Sequence, residues 1–370
     1  MNPVVSNINE SDAPFLKFRI SSIDASLANA IRRIMLSEIP VIVFRTAPQN
    51  KNRATYEINT SRMNNELIGQ RLSCIPIHIT DLDFPIENYQ MEVDKKNISD
   101  HIDYVTTHDF KIKDVNSGKY LNESELRTIF PPNSLTGDYI DLMRLRPRIS
   151  DEIEGEHLKL KCKFDIGTAK EDGAFNVVAT CAYSATQDAI KAKNAWEIKA
   201  SEMKKAGALK DEIDFAEKDW NLLDAKRYFV ANSYDFIVET VGPLTNMDIV
   251  YKACIVMIKK LMDFKALMQT QEDLIKVSES TIENCIDITI PKEGYTLGKV
   301  IEYILNTKHF NKTLTYCGFK KPHPHIDLCN IRLAFKTVVD IPSVVIYLID
   351  AADDAIAIYK KISESFASKK

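Results

Sequence analysis

Residues Phe15 to Phe44 read FLKFRISSIDASLANAIRRIMLSEIPVIVF. FLKFRI alternates apolar and polar residues, the period of a half-buried strand. Ser22 or Asp24 can cap a following helix, and Pro40 marks its far boundary. Ile23, Leu27, Ile31 and Ile34 recur at spacings of four, four and three residues, so they share one helical face. Asn29, Arg32 and Arg33 fall largely outside that stripe. VIVF then returns to strand character, closing a compact strand–helix–strand unit.

The same combination recurs at the far end of the chain. IDITI (Ile286 to Ile290) reads as a strand, Lys292 to Gly294 as a turn, and Thr296 to Leu305 as a helix with Thr296 as its cap. A strand pair follows at TYCGF and IRLAFKT. A final helix runs from about Pro342 to Phe366, with Pro342 in the first turn, where its missing N–H loses nothing. Its stripe of Val345, Leu348, Ala352, Ile356, Tyr359, Ile362 and Phe366 is close to a coiled-coil seam. The first half has a matching long helix. After the strand YDFIVET, Thr245 and Asp248 stand at capping-box spacing, and Val250, Met257, Leu261, Phe264 and Met268 form an apolar face. Each half therefore pairs a small sheet with a striped helix that needs cover, and the other half is the nearest candidate. MQTQEDLIKVSESTIEN, polar and without a sustained pattern, reads as the junction between them.

The intervening stretches differ in character. Residues 46–144 carry turn chemistry (NSG, FPPN) and short strands such as IPIHIT, and read as an inserted α/β lobe. LMRLRP, LKLKCKF and FNVVATCAYS return to strand pattern. Residues 187–227 are helical and charged, with Leu209, Ile213, Ala216, Trp220 and Leu223 making a seam expected of a solvated helical hairpin.

The chain has 370 residues and a formal net charge of -4, so no general attraction to a phosphate backbone is expected. No apolar run approaches the ~18 residues of a membrane span, and the N-terminus does not read as a signal peptide. The seven cysteines are scattered and form no CxxC, and most read as buried thiols of a reducing compartment.

The opening unit resembles the N-terminal motif of the α-type assembly subunits of multisubunit DNA-directed RNA polymerase. The motif stands here as Leu27-Ala28-Asn29-Ala30-Ile31-Arg32-Arg33 with Glu38-Ile39-Pro40. NNELIGQRLSCIPI (Asn64 to Ile77), GTAKEDGAFNVVATCAYS and DFIVETVGPLT are similar to further elements of that family, with Asp172-Gly173 in place of a usual His. The second half resembles the eleventh-subunit-type partner through Tyr295 to Ile301 and through Gly318-Phe319-Lys320-Lys321-Pro322-His323-Pro324. Both types on one chain is similar to the fused subunits of large nucleocytoplasmic DNA viruses.

The resemblance implies an α+β fold in which two dimerisation modules form an intramolecular pseudo-dimer. The first would span 1–45 and 145–270, interrupted by the lobe at 46–144 and the excursion at 187–227. The junction would be 271–284 and the second module 285–370. Leu27, Ile31, Leu261, Phe264, Leu297, Val300, Ile301, Leu348, Ile356 and Tyr359 would form the intramolecular interface. Asn29, Arg32, Arg33, Glu38, Arg71 and Glu239 would meet partners. Gly298, Gly318, Pro322, His323 and Pro324 would shape the backbone. The implied role is a non-catalytic platform for the two largest polymerase subunits and small ones, with nucleic acid touched only through the complex and no membrane. If the origin is viral, the chain is expected in host cytoplasm and virion. A stand-alone scaffold of the same fold is the alternative.

No cofactor is expected. Many eukaryotic relatives of the larger subunit hold a cysteine-ligated zinc in the inserted lobe, but the lobe here contains only Cys74. Cys317, His323, His325 and Cys329 have a spacing foreign to zinc sites. Asp81 and Asp83 lack the glycine-rich cradle that phosphate chemistry would need.

Overall fold

A computed structural model describes residues 1–11, 14–150, 152 and 154–367. Numbered along the chain, these residues form fifteen strands and eight α-helices and divide by packing into two units. One comprises Met1–Met35, Thr180–Glu239 and Asn246–Lys370, the other Leu36–Ala179 and Thr240–Thr245.

The first unit contains one plan twice. Strands β1 (Val4–Asn9), β2 (Phe15–Ser21), β10 (Val178–Gln187) and β11 (Phe229–Thr240) form a sheet of order β1-β2-β11-β10. Strands β12 (Ile275–Val277), β13 (Cys285–Pro291), β14 (Leu314–Lys320) and β15 (Leu328–Phe335) form a second, of order β12-β13-β15-β14. A helix follows the second strand of each: α1 (Ala25–Ser37) after β2, and α7 (Tyr295–His309) after β13. A long helix follows the third strand in each row: α6 (Asn246–Thr270) and α8 (Ile341–Glu364). Leu27 and Leu297, like Ile31 and Ile301, lie 270 residues apart, and all four are buried. At the same interval Ser22 and Lys292 have φ of 62° and 59° at the two strand-to-helix corners. That region is sparsely occupied by residues with a Cβ, so its recurrence marks one backbone path used twice.

α6 and α8 pack along each other more extensively than any other two elements. Val250, Met257, Leu261, Phe264 and Met268 of α6 are buried, as are Leu348, Ala352, Tyr359 and Ile362 of α8. Each large side chain so removed from water contributes about 1.5–3 kcal/mol before its ordering cost. The α8 stripe is wider than a coiled-coil seam: Val344, Ala351 and Ala355 are also buried, and Val345 is only half-buried. The reason is that α8 packs against α7 as well as α6.

Local details correct several expectations. Asp24, not Ser22, caps α1, its Oδ2 accepting from the Ser26 N–H at 2.7 Å. Thr296 is not a cap; α7 begins from Gly294 and Thr296 lies buried in the first turn. The stretch FNVVATCAYS enters its strand only at Val178, Phe175 lying in a short 3-10 turn. The junction is not plain coil either: β12 lies within it and pairs antiparallel with β13, Ile275 opposite Ile288, both buried.

The second unit is built on β9 (His157–Gly167), which pairs antiparallel with β3 (Val41–Phe44), β4 (Ala54–Asn59) and β5 (Tyr89–Lys96), while β7 (Lys111–Asp114) pairs with β5. A two-stranded sheet of β6 (Asp103–Thr106) and β8 (Asp141–Leu145), with helices α2 (Asn65–Ser73) and α3 (Glu123–Ile129), completes it. Phe44, Phe110, Phe130 and Phe164 form its aromatic centre. The boundaries thus differ from those expected at 45 and 145. Residues 36–45 and 145–179 pack with the lobe because β9, on which β3, β4 and β5 pair, comes from the returning chain. IPIHIT is not a strand; Pro76 has no N–H to give a ladder, and the His78 N–H bonds to the Ile129 carbonyl at 3.1 Å.

Residues 187–227 form the expected hairpin, α4 (Ala189–Lys205) and α5 (Lys210–Leu222). It has its own small core of Ala192, Trp196, Trp220 and Ala225, the two indoles 5.9 Å apart. Only the middle of the expected seam is covered. Leu209 and Leu223 flank the ends of α5 and are 70% and 62% exposed. The hairpin's main contacts are internal, between its helices and the turn Asp224–Arg227 that closes it. The equivalent connection in the second sheet is the short 321–327. Replacing 188–228 by such a turn is therefore expected to leave one cooperative unfolding transition, with Tm moved by no more than about 3 °C. Differential scanning calorimetry checks this, and loss of the cooperative transition would make the hairpin part of the core.

Candidate functional site

The first unit holds an interface between its two repeats. Tyr359 of α8 is fully buried, and its hydroxyl donates to the Leu27 carbonyl of α1 at 3.2 Å. Burial, with Cys254 nearby, holds that phenol well above its usual pKa, so it stays a neutral donor. Phe18 of β2 stacks on Phe236 and meets Phe366, just past α8, edge-on, both with ring centroids 4.9 Å apart. At the rim the Arg33 Nε donates to the Thr296 hydroxyl at 2.9 Å, and Lys260 pairs with Glu293 at 2.9 Å. Lys265 of α6 pairs with Asp353 of α8. Apolar cover, one buried hydroxyl and a charged rim are the anatomy of an obligate protein interface, here closed within one chain.

The repeats also match inside each module. The Cys181 thiol donates to the Arg32 carbonyl and the Cys317 thiol to the Glu302 carbonyl, both at 3.8 Å, with Arg32 and Glu302 again 270 residues apart. Gly298 is required by packing. A Cβ there would lie 2.0 Å from the Phe319 ring, so the strand can approach α7 only over a glycine.

The residues singled out in the sequence occupy distinct settings. Leu27, Ile31, Leu261, Phe264, Leu297, Val300, Ile301, Leu348, Ile356 and Tyr359 are all buried in the first unit. Asn29 and Arg32 are brought together: Asn29 Oδ1 accepts from Arg32 Nε at 2.9 Å and from its Nη2 at 2.8 Å. Arg33 is exposed but already turned to Thr296. Glu239 accepts from the Thr180 hydroxyl at 2.7 Å. Glu38 and Arg71 belong to the second unit, where Arg71 donates to the Asp141 and Leu142 carbonyls. The six therefore do not form one cluster. Gly318 faces the Tyr316 ring, and Pro322, His323 and Pro324 lie on an exposed turn in which His323 Nδ1 accepts from the His325 N–H at 3.1 Å.

The sequence pattern did not disclose the Thr296 acceptor, the paired thiols or Arg45. Arg45 is buried in the lobe, bonding Asp165 and Glu171 at 2.8 Å each beneath the Phe175 ring.

Metal and catalytic arrangements do not assemble from the candidates. Cys317 and Cys329 are buried and His323 and His325 exposed, and no group of three or more potential ligands occurs among the described residues. Asp81 accepts from the Asp83 N–H at 3.0 Å, an ordinary turn contact.

Comparison with known proteins gives two family matches. The RNA polymerase Rpb3/Rpb11 dimerisation domain matches residues 17–261 and again residues 285–365. The chain is 29% identical over 178 residues to DNA-directed RNA polymerase subunit Rpo3 of Methanosphaera stadtmanae, covering 48% of this chain and 59% of that protein. It is 28% identical over 198 residues to DNA-directed RNA polymerases I and III subunit rpac1 of Dictyostelium discoideum, covering 48% and 51%. The human RPAC1 subunit of polymerases I and III is 26% identical over 197 residues, covering 48% and 53%. The chain thus spans little more than half the length of these relatives.

Two outcomes follow from the interface. Tyr359→Phe removes one hydrogen bond and should cost about 1 kcal/mol, whereas Gly298→Val forces Phe319 away and should cost about 1–3 kcal/mol. Urea unfolding measures both. Burial pushes the thiols of Cys181, Cys254, Cys317 and Cys329 up to about 12. Unfolded thiols titrate near ~8.5, so between these values the unfolded chain holds fewer protons than the folded one. The contribution of these buried thiols to stability should be constant between about pH 7 and 8 and be lost steadily above pH 9, as melting temperatures across that range will show.

Proposed function

Because the chain belongs to the RNA polymerase Rpb3/Rpb11 dimerisation-domain family, we propose that it is a non-catalytic assembly subunit of a DNA-dependent RNA polymerase. In this reading the chain carries a third-largest-type and an eleventh-type module in one polypeptide. The observation that carries it is the shared core of the two repeats, with α6 against α8 and Tyr359 bonded to Leu27. Here α6 and β12 are separated by only residues 271–274, which holds the second module at high effective concentration and makes pairing independent of encounter.

The pseudo-dimer would act as the platform on which the two largest subunits associate, with small subunits joining them. Nucleotidyl transfer would belong to those partners, and nucleic acid would be touched only through the complex. The two family matches in one chain support a fused form, which is similar to that of large nucleocytoplasmic DNA viruses; if the origin is viral, the host cytoplasm and virion would be its compartments. Seven free cysteines accord with a reducing environment.

Co-expression of the tagged chain with the two largest subunits of its source tests this. Both should co-purify with the wild type, be lost with Leu348→Asp, which breaks the shared core, and weaken at least about tenfold with Arg32→Glu. A folded wild type that retains neither large subunit would replace this reading with a stand-alone scaffold. Melting curves confirm that Arg32→Glu remains folded, since Arg32 also bonds Asn29.

A further inference from the structure

The second unit contains a cleft of about 430 Å³ beside the start of α2 and the end of β8. Its apolar lining is aliphatic: Met63, Leu67 and Ile102, the last two 49% and 47% exposed. Three arginines share the cleft. Arg146 is committed, its Nε donating to Glu156 Oε1 at 2.6 Å while its backbone N–H donates to the same carboxylate at 2.7 Å. The guanidinium groups of Arg62 and Arg144 have no hydrogen-bond or ion-pair partner among the described residues. One carboxylate against three guanidinium groups leaves the cleft with excess positive charge.

Unpaired guanidinium groups sharing a cleft repel one another, and each offers a planar fork that fits a carboxylate. The aliphatic floor meanwhile exposes area that water solvates poorly. A ligand must satisfy both. A nucleic-acid strand would ask for aromatic stacking platforms, and the floor here is aliphatic. A bare anion would leave the floor uncovered. We propose that this cleft docks an acidic polypeptide segment with interleaved aliphatic side chains, carboxylates on Arg62 and Arg144 and aliphatic groups on Met63, Leu67 and Ile102. The assignment does not depend on the polymerase reading.

Fluorescence anisotropy with the full chain tests it, using a short labelled peptide of alternating Glu and Leu. Saturable binding is expected, weakened at least about tenfold by Arg62→Glu with Arg144→Glu and reduced by salt. Leu67→Ser with Ile102→Ser should weaken it separately. All four positions are at least partly exposed, and melting curves verify that the variants fold. Absence of saturation by the wild type, or binding indifferent to the arginine reversal, overturns the proposal. So does equal affinity for a peptide of Glu and Ser, since the floor would then play no part. An oligonucleotide that binds more tightly with the same arginine dependence would assign the cleft to nucleic acid instead.

Discussion

A small sheet can cover one side of a helix, yet α8 is apolar over more than one side. Val344, Leu348, Ala351, Ala352, Ala355, Tyr359 and Ile362 are all buried, and α7 supplies only part of what covers them. The remainder is α6, which comes from the other half of the chain. Neither repeat can therefore leave water alone, and the first unit exists because the two are folded against each other. Everything else in that unit is arranged around this requirement. The Tyr359 hydroxyl reaches the Leu27 carbonyl because α1 closes the same core.

Once the shared plan is fixed, the asymmetry of the chain becomes simple to state. The second repeat passes from α7 to β14 through 310–313 and from β14 to β15 through 321–327. At the corresponding points the first repeat carries the chain of the lobe and the α4–α5 hairpin. Both additions sit at connections, where backbone can leave a sheet without breaking its ladder. The lobe has a core of its own around four phenylalanines and a buried arginine. The hairpin has a smaller one, a tryptophan pair with Ile213, Tyr228 and several alanines. The elaborated repeat thus offers new surface at no expense to the shared core.

Polar groups are largely consumed within the chain. Each four-stranded sheet of the first unit carries a bidentate cross-strand pair, Arg19 with Asp235 and Arg332 with Asp287. These are partly exposed and worth little individually, but they fix register on the outer faces. Asn29 and Arg32 satisfy each other, and Arg33 reaches across to the second repeat. A conspicuous arginine in a sequence is not thereby a free one. By contrast Arg62 and Arg144, which no pattern in the sequence distinguished, have guanidinium groups that nothing among the described residues engages.

The sequence by itself determined the elements and the need for cover. The spacing of Ile23, Leu27, Ile31 and Ile34, the 342–366 stripe and the strand alternation all report local geometry, and local geometry is written in periods of two and 3.6. It also carried the family motifs around Leu27 to Arg33 and Thr296 to Gly298. What only the tertiary structure decided was pairing between distant residues. That β9 would draw 145–179 into the lobe, that β12 would turn the junction into an edge strand, and that Thr296 would accept from Arg33 rather than cap α7 all depend on partners far away in sequence. Periodicity says which face of an element is apolar. It does not say which other face will cover it, because that is settled by the complementarity of whole surfaces rather than by any one segment.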